Sequence, residues 1–301
     1  MGRNHLKSMI NKTREKKECF LKQKKYWLWA AVLFAGTIAL LWFHENGAKE
    51  EYRVVCLGDS IIGNERDETS ITAVMEKILG TRVYNGAFGG TTMSCRYSDN
   101  RASVTEDTLS MAQLARAIAY QDFGVQNAGV TAWSPMEYFP ESMYGFQKID
   151  FNKVEVLVIE HGVNDYLAGA ELDNPEDPYD QYTFGGALRS SLKILKERYP
   201  DLRIILATPI YCWYVREGVS CEERDFGNGL LEDYVNLELE IGREFGVEIL
   251  DNYHESGIGS TGTYEEWEQY TVDGVHLNEE GRALIGGRLA EAVRKSDDWT
   301  E

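Results

Sequence analysis

The chain reads as an α/β protein: a parallel sheet with helices on both faces. Three observations predict this. Apolar runs rich in β-branched residues at Val54–Gly58, Val154–Ile159, Arg203–Ala207 and Val247–Leu250 have the composition of strands buried on both faces. Segments of helical periodicity alternate with them, which implies right-handed crossovers. Polar or glycine-rich clusters follow the strand candidates, as ligand-binding loops do at the C-terminal edge of an open sheet.

Val54–Gly58 stops at Asp59-Ser60, small polar residues that can turn tightly and leave the Ser60 hydroxyl at a strand end, either as a nucleophile or as a helix cap. Ile71, Val74, Ile78 and Leu79 fall on one helical face, and Gly80 ends that helix. A strand at Arg82–Tyr84 runs into the glycine-rich stretch Asn85 to Thr92. Helical spacing resumes over Asp107–Tyr120. The stretch from there to Phe151 carries Trp133, Tyr138, Phe139, Tyr144 and Phe146 with two prolines; it is either a binding loop or lid, or an aromatic segment packed on the domain. Val154–Ile159 empties into Glu160-His161-Gly162-Val163-Asn164-Asp165. A helix over Phe184–Tyr199, closed by Pro200, precedes the strand Arg203–Ala207, and a helix over Leu230–Phe245 precedes Val247–Leu250. A loop from Asn252 to Thr271 leads to Asp273-Gly274-Val275-His276 and a last helix with Leu284, Ile285, Leu289 and Val293 on one side.

Charge and hydropathy divide the chain. Residues 1–43 hold nine Lys/Arg against two Glu, which leaves 22 basic against 47 acidic residues beyond, a net of −25. Such a domain repels a nucleic-acid backbone, and no basic stripe interrupts it. Tyr26–Phe43 is an uncharged stretch of eighteen residues, ~27 Å as a helix and close to a bilayer's hydrocarbon thickness. Trp27, Trp29 and Trp42 near its ends and Lys22, Lys24 and Lys25 before it predict a single-pass anchor in the cell membrane, with a cytoplasmic basic tail over 1–25 and an extracytoplasmic domain. The rival, a cleaved signal peptide, has only a poor processing site at Asn46-Gly47-Ala48. The predicted organisation is tail 1–25, anchor 26–43, linker 44–51 and one catalytic domain 52–301. Cys212 and Cys221 bracket one short loop and can bridge locally; Cys56 suits a buried strand thiol. No metal-ligand spacing such as C-x-x-C or H-E-x-x-H occurs, so neither metal nor cofactor is expected.

Parallel strands bring the clusters after Leu57, Tyr84, Ile159 and Leu250 to one edge, where they compose a set suited to acyl transfer. Ser60 is the candidate nucleophile and His276 the base that takes its proton; Asp273 accepts from the far imidazole nitrogen. The backbone N–H groups of Ser60 and Gly90 and the Asn164 amide can bind the oxyanion, each such donor typically contributing ~3–4 kcal/mol. His161 and His254 are competing bases.

Gly58-Asp59-Ser60, the glycine block Asn85 to Gly90, Gly162-Val163-Asn164-Asp165 and Asp273-Gly274-Val275-His276 together resemble the four ordered blocks of SGNH hydrolases, the GDSL esterase and lipase superfamily. The likeness spans Arg53 to Val293. It implies a flavodoxin-like three-layer α/β/α sandwich and metal-free ester hydrolysis through Ser60, Gly90, Asn164 and His276 with Asp273 in support. Ile61-Ile62 departs from the leucine the first block often carries, and spacing from Asn85 favours Gly90 over Gly89 as the loop donor.

The expected activity is that of a serine esterase removing small acyl groups, acetyl above all, from carbohydrate. Trp133, Trp213 and Trp267 are the candidate sugar-stacking rings, with Tyr138, Tyr211, Tyr214 and Tyr270 nearby. The interleaved Glu137, Glu141, Glu265, Glu266 and Glu268 would repel an anionic lipid surface. An O-acyltransferase acting on cell-surface glycan shares the same chemistry, and a non-catalytic glycan-binding protein on the same fold is the alternative from another class.

Overall fold

The computed structural model describes residues 49–96, 107–259 and 264–295. The chain divides into Met1–Lys49 and Glu50–Glu301, and all described residues but Lys49 belong to the second unit. The expected location as a single-pass membrane protein is corrected: among the described residues no helix is long and apolar enough to cross a membrane. The span expected at 26–43 lies outside those residues.

The strands are β1 (Val54–Gly58), β2 (Val83–Asn85), β3 (Val156–Glu160), β4 (Arg203–Ala207), β5 (Trp213–Tyr214), β6 (Val219–Ser220) and β7 (Glu248–Leu250). Five form one parallel sheet in the order β2-β1-β3-β4-β7. Every residue of β1 and β3 is buried, which is why both read as unbroken apolar runs. Strand addition reverses direction between β1 and β3. With right-handed crossovers, the helix between β1 and β2 must then lie on the opposite face from those that follow.

The helices obey this. One packed group joins α2 (Ile71–Leu79) to the C-terminal α11 (Glu279–Arg294); the other joins α3 (Met111–Tyr120), α7 (Phe184–Arg198) and α8 (Leu231–Phe245). Ser70 caps α2 by accepting from Ala73 N–H, and Gly80 closes it in the left-handed region as its position predicts.

The aromatic stretch expected as a loop or lid is largely helical, with α4 over Gly124–Ala132 and α5 over Phe139–Phe146. Phe146 packs edge-on against Phe123 and Phe151, with ring centroids 5.5 and 5.7 Å away, and Phe139 meets Phe88 at 5.1 Å. These rings therefore belong to the core. The long loop after β7 likewise contains two short helices, α9 (Asn252–Glu255) and α10 (Tyr264–Tyr270). Strands β5 and β6 form a separate antiparallel hairpin. The bridge considered between Cys212 and Cys221 is not formed, and both buried thiols are free.

Candidate active site

The reversal between β1 and β3 leaves a crevice at their C-terminal ends, where open α/β sheets bind ligands. Ser60 opens the one-turn helix α1 (Ser60–Gly63) directly after β1. The cap of that helix is Asp59, whose Oδ1 accepts from Ile61 N–H at 2.9 Å. Ser60 is thereby spared capping duty, and its Oγ lies 3.0 Å from Nε2 of His276.

His276 is held from its other side. Its Nδ1 lies 2.7 Å from Oδ2 of Asp273, while Oδ1 of Asp273 accepts from the backbone N–H of His276 at 2.7 Å and of Val275 at 3.0 Å. Burial alone would raise the Asp273 carboxyl, but the His276 side chain and these two amides outweigh it and hold it below the usual aspartate value. An Nδ1–H directed at this carboxylate leaves Nε2 as the acceptor facing Ser60.

The candidate oxyanion donors divide into two kinds. The backbone N–H groups of Ser60 and Gly90 have no partner among the described residues, and Gly90 adopts φ +78°, a conformation natural to glycine. The neighbouring Gly89 N–H, in contrast, donates to the Tyr138 hydroxyl at 2.8 Å. Asn164 reaches the same crevice from α6 (Val163–Leu167), yet both of its amide protons are engaged, with Thr91 O at 2.9 Å and Asp59 Oδ2 at 3.2 Å.

Beneath the crevice lies a group of buried acids that sequence reasoning did not resolve. Burial pushes the Asp59 carboxyl up to about 7, with Asp165 adding to the shift and the Ile61 amide and His276 opposing it. Asp165 is fully buried and saturated, accepting from Met93 N–H, Ser94 N–H and Ser94 Oγ at 2.7, 3.0 and 2.6 Å. It anchors the chain just past the glycine loop. Glu160, at the end of β3, is buried without a side-chain partner, and burial together with Asp59 and Glu238 holds its carboxyl far above the normal range. For Asp59 and Asp165 the signal was present in Gly-Asp-Ser and Asn-Asp, where the single acid of each motif reads equally well as a turn residue.

Of the competing bases, His161 is fully buried and driven by burial to about 3, so it stays neutral and enclosed. Among the described residues no serine hydroxyl bonds to the His254 ring. Its Nδ1 lies 2.8 Å from Asp251 Oδ2 and its Nε2 lies 3.6 Å from Glu232.

The three candidate stacking tryptophans differ in exposure. Trp133, at the end of α4, is 38 % exposed, and Trp213 is half-buried in the hairpin. Trp267 is only 3 % exposed, so its ring offers no open face for a sugar and that expectation is corrected for this residue. It does border, with Tyr214, Arg216, Glu217, Thr271 and Asp273, a cleft of ≈ 460 Å³ beside the Asp273 loop.

A parallel sheet of this strand order brings a serine, a histidine and an aspartate together at its reversal point. The chain belongs to the GDSL-like Lipase/Acylhydrolase family, whose model matches residues 56–284. Among solved structures it is similar to a protein from Lactobacillus plantarum (20% identity, 81% of this chain and 97% of that chain, TM-score 0.58). A second similar structure is described as a possible lipase from Chitinophaga pinensis (18% identity, 81% and 98% coverage, TM-score 0.51). At these identities the structures show a shared fold. No curated protein matches the sequence.

Proposed function

We propose that this protein is a serine esterase working through an acyl-enzyme on Ser60. The observation that carries the reading is the continuous chain Ser60 Oγ, His276, Asp273, with links of 3.0 and 2.7 Å. As Oγ attacks the ester carbonyl, Nε2 of His276 takes the hydroxyl proton and Asp273 stabilises the resulting imidazolium. The oxyanion is received by the free N–H groups of Ser60 and Gly90. The Asn164 amide joins them by giving up its longer bond, the one to Asp59. Collapse expels the alcohol, which takes the proton from His276; water, activated by the same base, then releases the acid and restores Ser60.

The substrate class we propose is a small acyl ester, acetyl above all, on a hydroxyl-rich alcohol such as carbohydrate. The cleft beside Asp273 supports this, since Tyr214, Arg216, Glu217, Glu268 and Thr271 mix aromatic and hydrogen-bonding groups. Labelling with a fluorophosphonate probe tests the chemistry: the wild-type protein is expected to be labelled and Ser60→Ala to be unlabelled while still folded. Undiminished turnover by Ser60→Ala would end the reading. Preference for octanoyl over acetyl esters, with no release of acetate from acetylated xylan, would overturn the substrate class alone.

A further inference from the structure

Arg66 lies three residues past α1, in a position to bind both halves of the candidate site. Its guanidinium donates through Nε to Gly63 O at 3.0 Å, through Nη1 to Asn85 O at 3.1 Å and through Nη2 to Ala87 O at 2.6 Å. The first carbonyl ends the nucleophile helix; the other two belong to the strand and loop that lead to Gly90. The plane of the guanidinium stacks on the Tyr138 ring, 4.0 Å from its centroid. The Tyr138 hydroxyl in turn accepts the Gly89 N–H at 2.8 Å and points its own proton towards Asn64 Oδ1 at 3.5 Å. Room is tight, for a Cβ on Gly89 would lie 2.5 Å from that same Asn64 oxygen.

We propose that Arg66 and Tyr138 are positioning residues that lock the Ser60 turn to the glycine loop, withdrawing the Gly89 N–H and leaving the Gly90 N–H as the loop's oxyanion donor. The inference rests on the esterase reading above. Oxyanion stabilisation works only when donors are fixed before charge develops. Two adjacent loop amides could compete for that position, and the phenol oxygen removes one of them. Three carbonyls in three directions require a planar fork, which an ammonium cannot reproduce. Burial pushes the Tyr138 phenol up, so the hydroxyl remains neutral and can accept and donate at once.

Tyr138→Phe tests the proposal, because it keeps the ring under Arg66 and deletes only the acceptor for Gly89. The expected result with an aryl acetate is a kcat reduced about 10- to 100-fold at unchanged KM, since a misaligned donor weakens transition-state binding alone. Arg66→Lys is expected to lower kcat in the same way. Tyr199→Phe is the control: the Tyr199 hydroxyl also makes a buried bond to backbone, to Ile118 O of α3 at 2.9 Å, rather than to the loop. It is expected to lower the thermal midpoint as much as Tyr138→Phe and leave kcat at the wild-type value. A wild-type protein that hydrolyses aryl acetates while Tyr138→Phe and Arg66→Lys match its kcat overturns the positioning role alone. A wild-type protein that neither hydrolyses the ester nor takes a fluorophosphonate overturns the esterase reading and this role with it.

Discussion

Trp213 and Gly274 meet backbone to backbone: the Trp213 N–H donates to Gly274 O at 2.8 Å, and a Cβ on Gly274 would lie 1.9 Å from the Trp213 carbonyl oxygen. Gly274 also has φ +88°, and it separates Asp273 from His276. The β5–β6 hairpin therefore braces the loop that carries two members of the candidate triad. The half-buried Trp213, expected to stack on substrate, makes this contact through its main chain.

Gly274→Ala must move that brace or the loop. It is expected to lower stability by about 1–3 kcal/mol through the backbone strain and contact it introduces. Activity should fall further than stability explains, because Asp273 and His276 move together. Kinetics measured well below the unfolding midpoint check this; a folded variant with wild-type kcat would show that the loop tolerates the displacement.

His276 and His254 give the clearest contrast. Each lies three residues after an aspartate, each accepts support from that aspartate at Nδ1 and through its own N–H, and each side chain is 39 % exposed. Only His276 faces Ser60. His276→Ala is expected to lower kcat about 10²–10⁴-fold, the usual worth of a general base, and His254→Ala to leave it unchanged. Equal losses in the two variants would contradict the assignment.

Asn164 couples the oxyanion site to the buried acids. Asn164→Ala is expected to reduce kcat about 10²–10³-fold with little change in KM, as loss of one oxyanion donor does. It should also destabilise by about 1–3 kcal/mol, since Thr91 O and Asp59 Oδ2 lose a donor. Steady-state kinetics and urea unfolding on the same preparation separate the two effects.

Glu160 makes stability depend on pH. Its folded-state carboxyl is raised by burial, then by Asp59 and Glu238, so the folded protein holds that proton more tightly than the unfolded chain does. Its contribution is complete below the ordinary glutamate value and is lost as pH rises above it. Glu160→Gln, which cannot ionise, is expected to be more stable than wild type at pH 8 and to lose that advantage near pH 4. Parallel stability curves for the two proteins across this range would contradict the shift.

Sequence alone went far with the sheet. Val54–Gly58 occurs as a strand with those bounds because a strand buried on both faces must be apolar throughout, and Arg203–Ala207 is buried from Ile204 onward. Where burial ends, so did legibility: the edge strand expected at Val247–Leu250 begins at Glu248, an exposed residue. The aromatic stretch from Trp133 to Phe146 was ambiguous because a binding surface and a core demand the same rings, and its burial pattern emerges only when Phe88, Phe123 and Phe151 surround it.

The motifs by themselves determined the family, the identity of a candidate nucleophile and the sheet edge at which it stands, since residue type and strand alternation are local properties. Tertiary structure decided the partnerships. Whether Asp251–His254 or Asp273–His276 serves Ser60, whether Gly89 or Gly90 offers a free N–H, and that Asn164 begins with both protons engaged all depend on atoms brought together from distant parts of the chain. A hydrogen bond reaches only about 3 Å, and no spacing along a sequence encodes that distance across a fold.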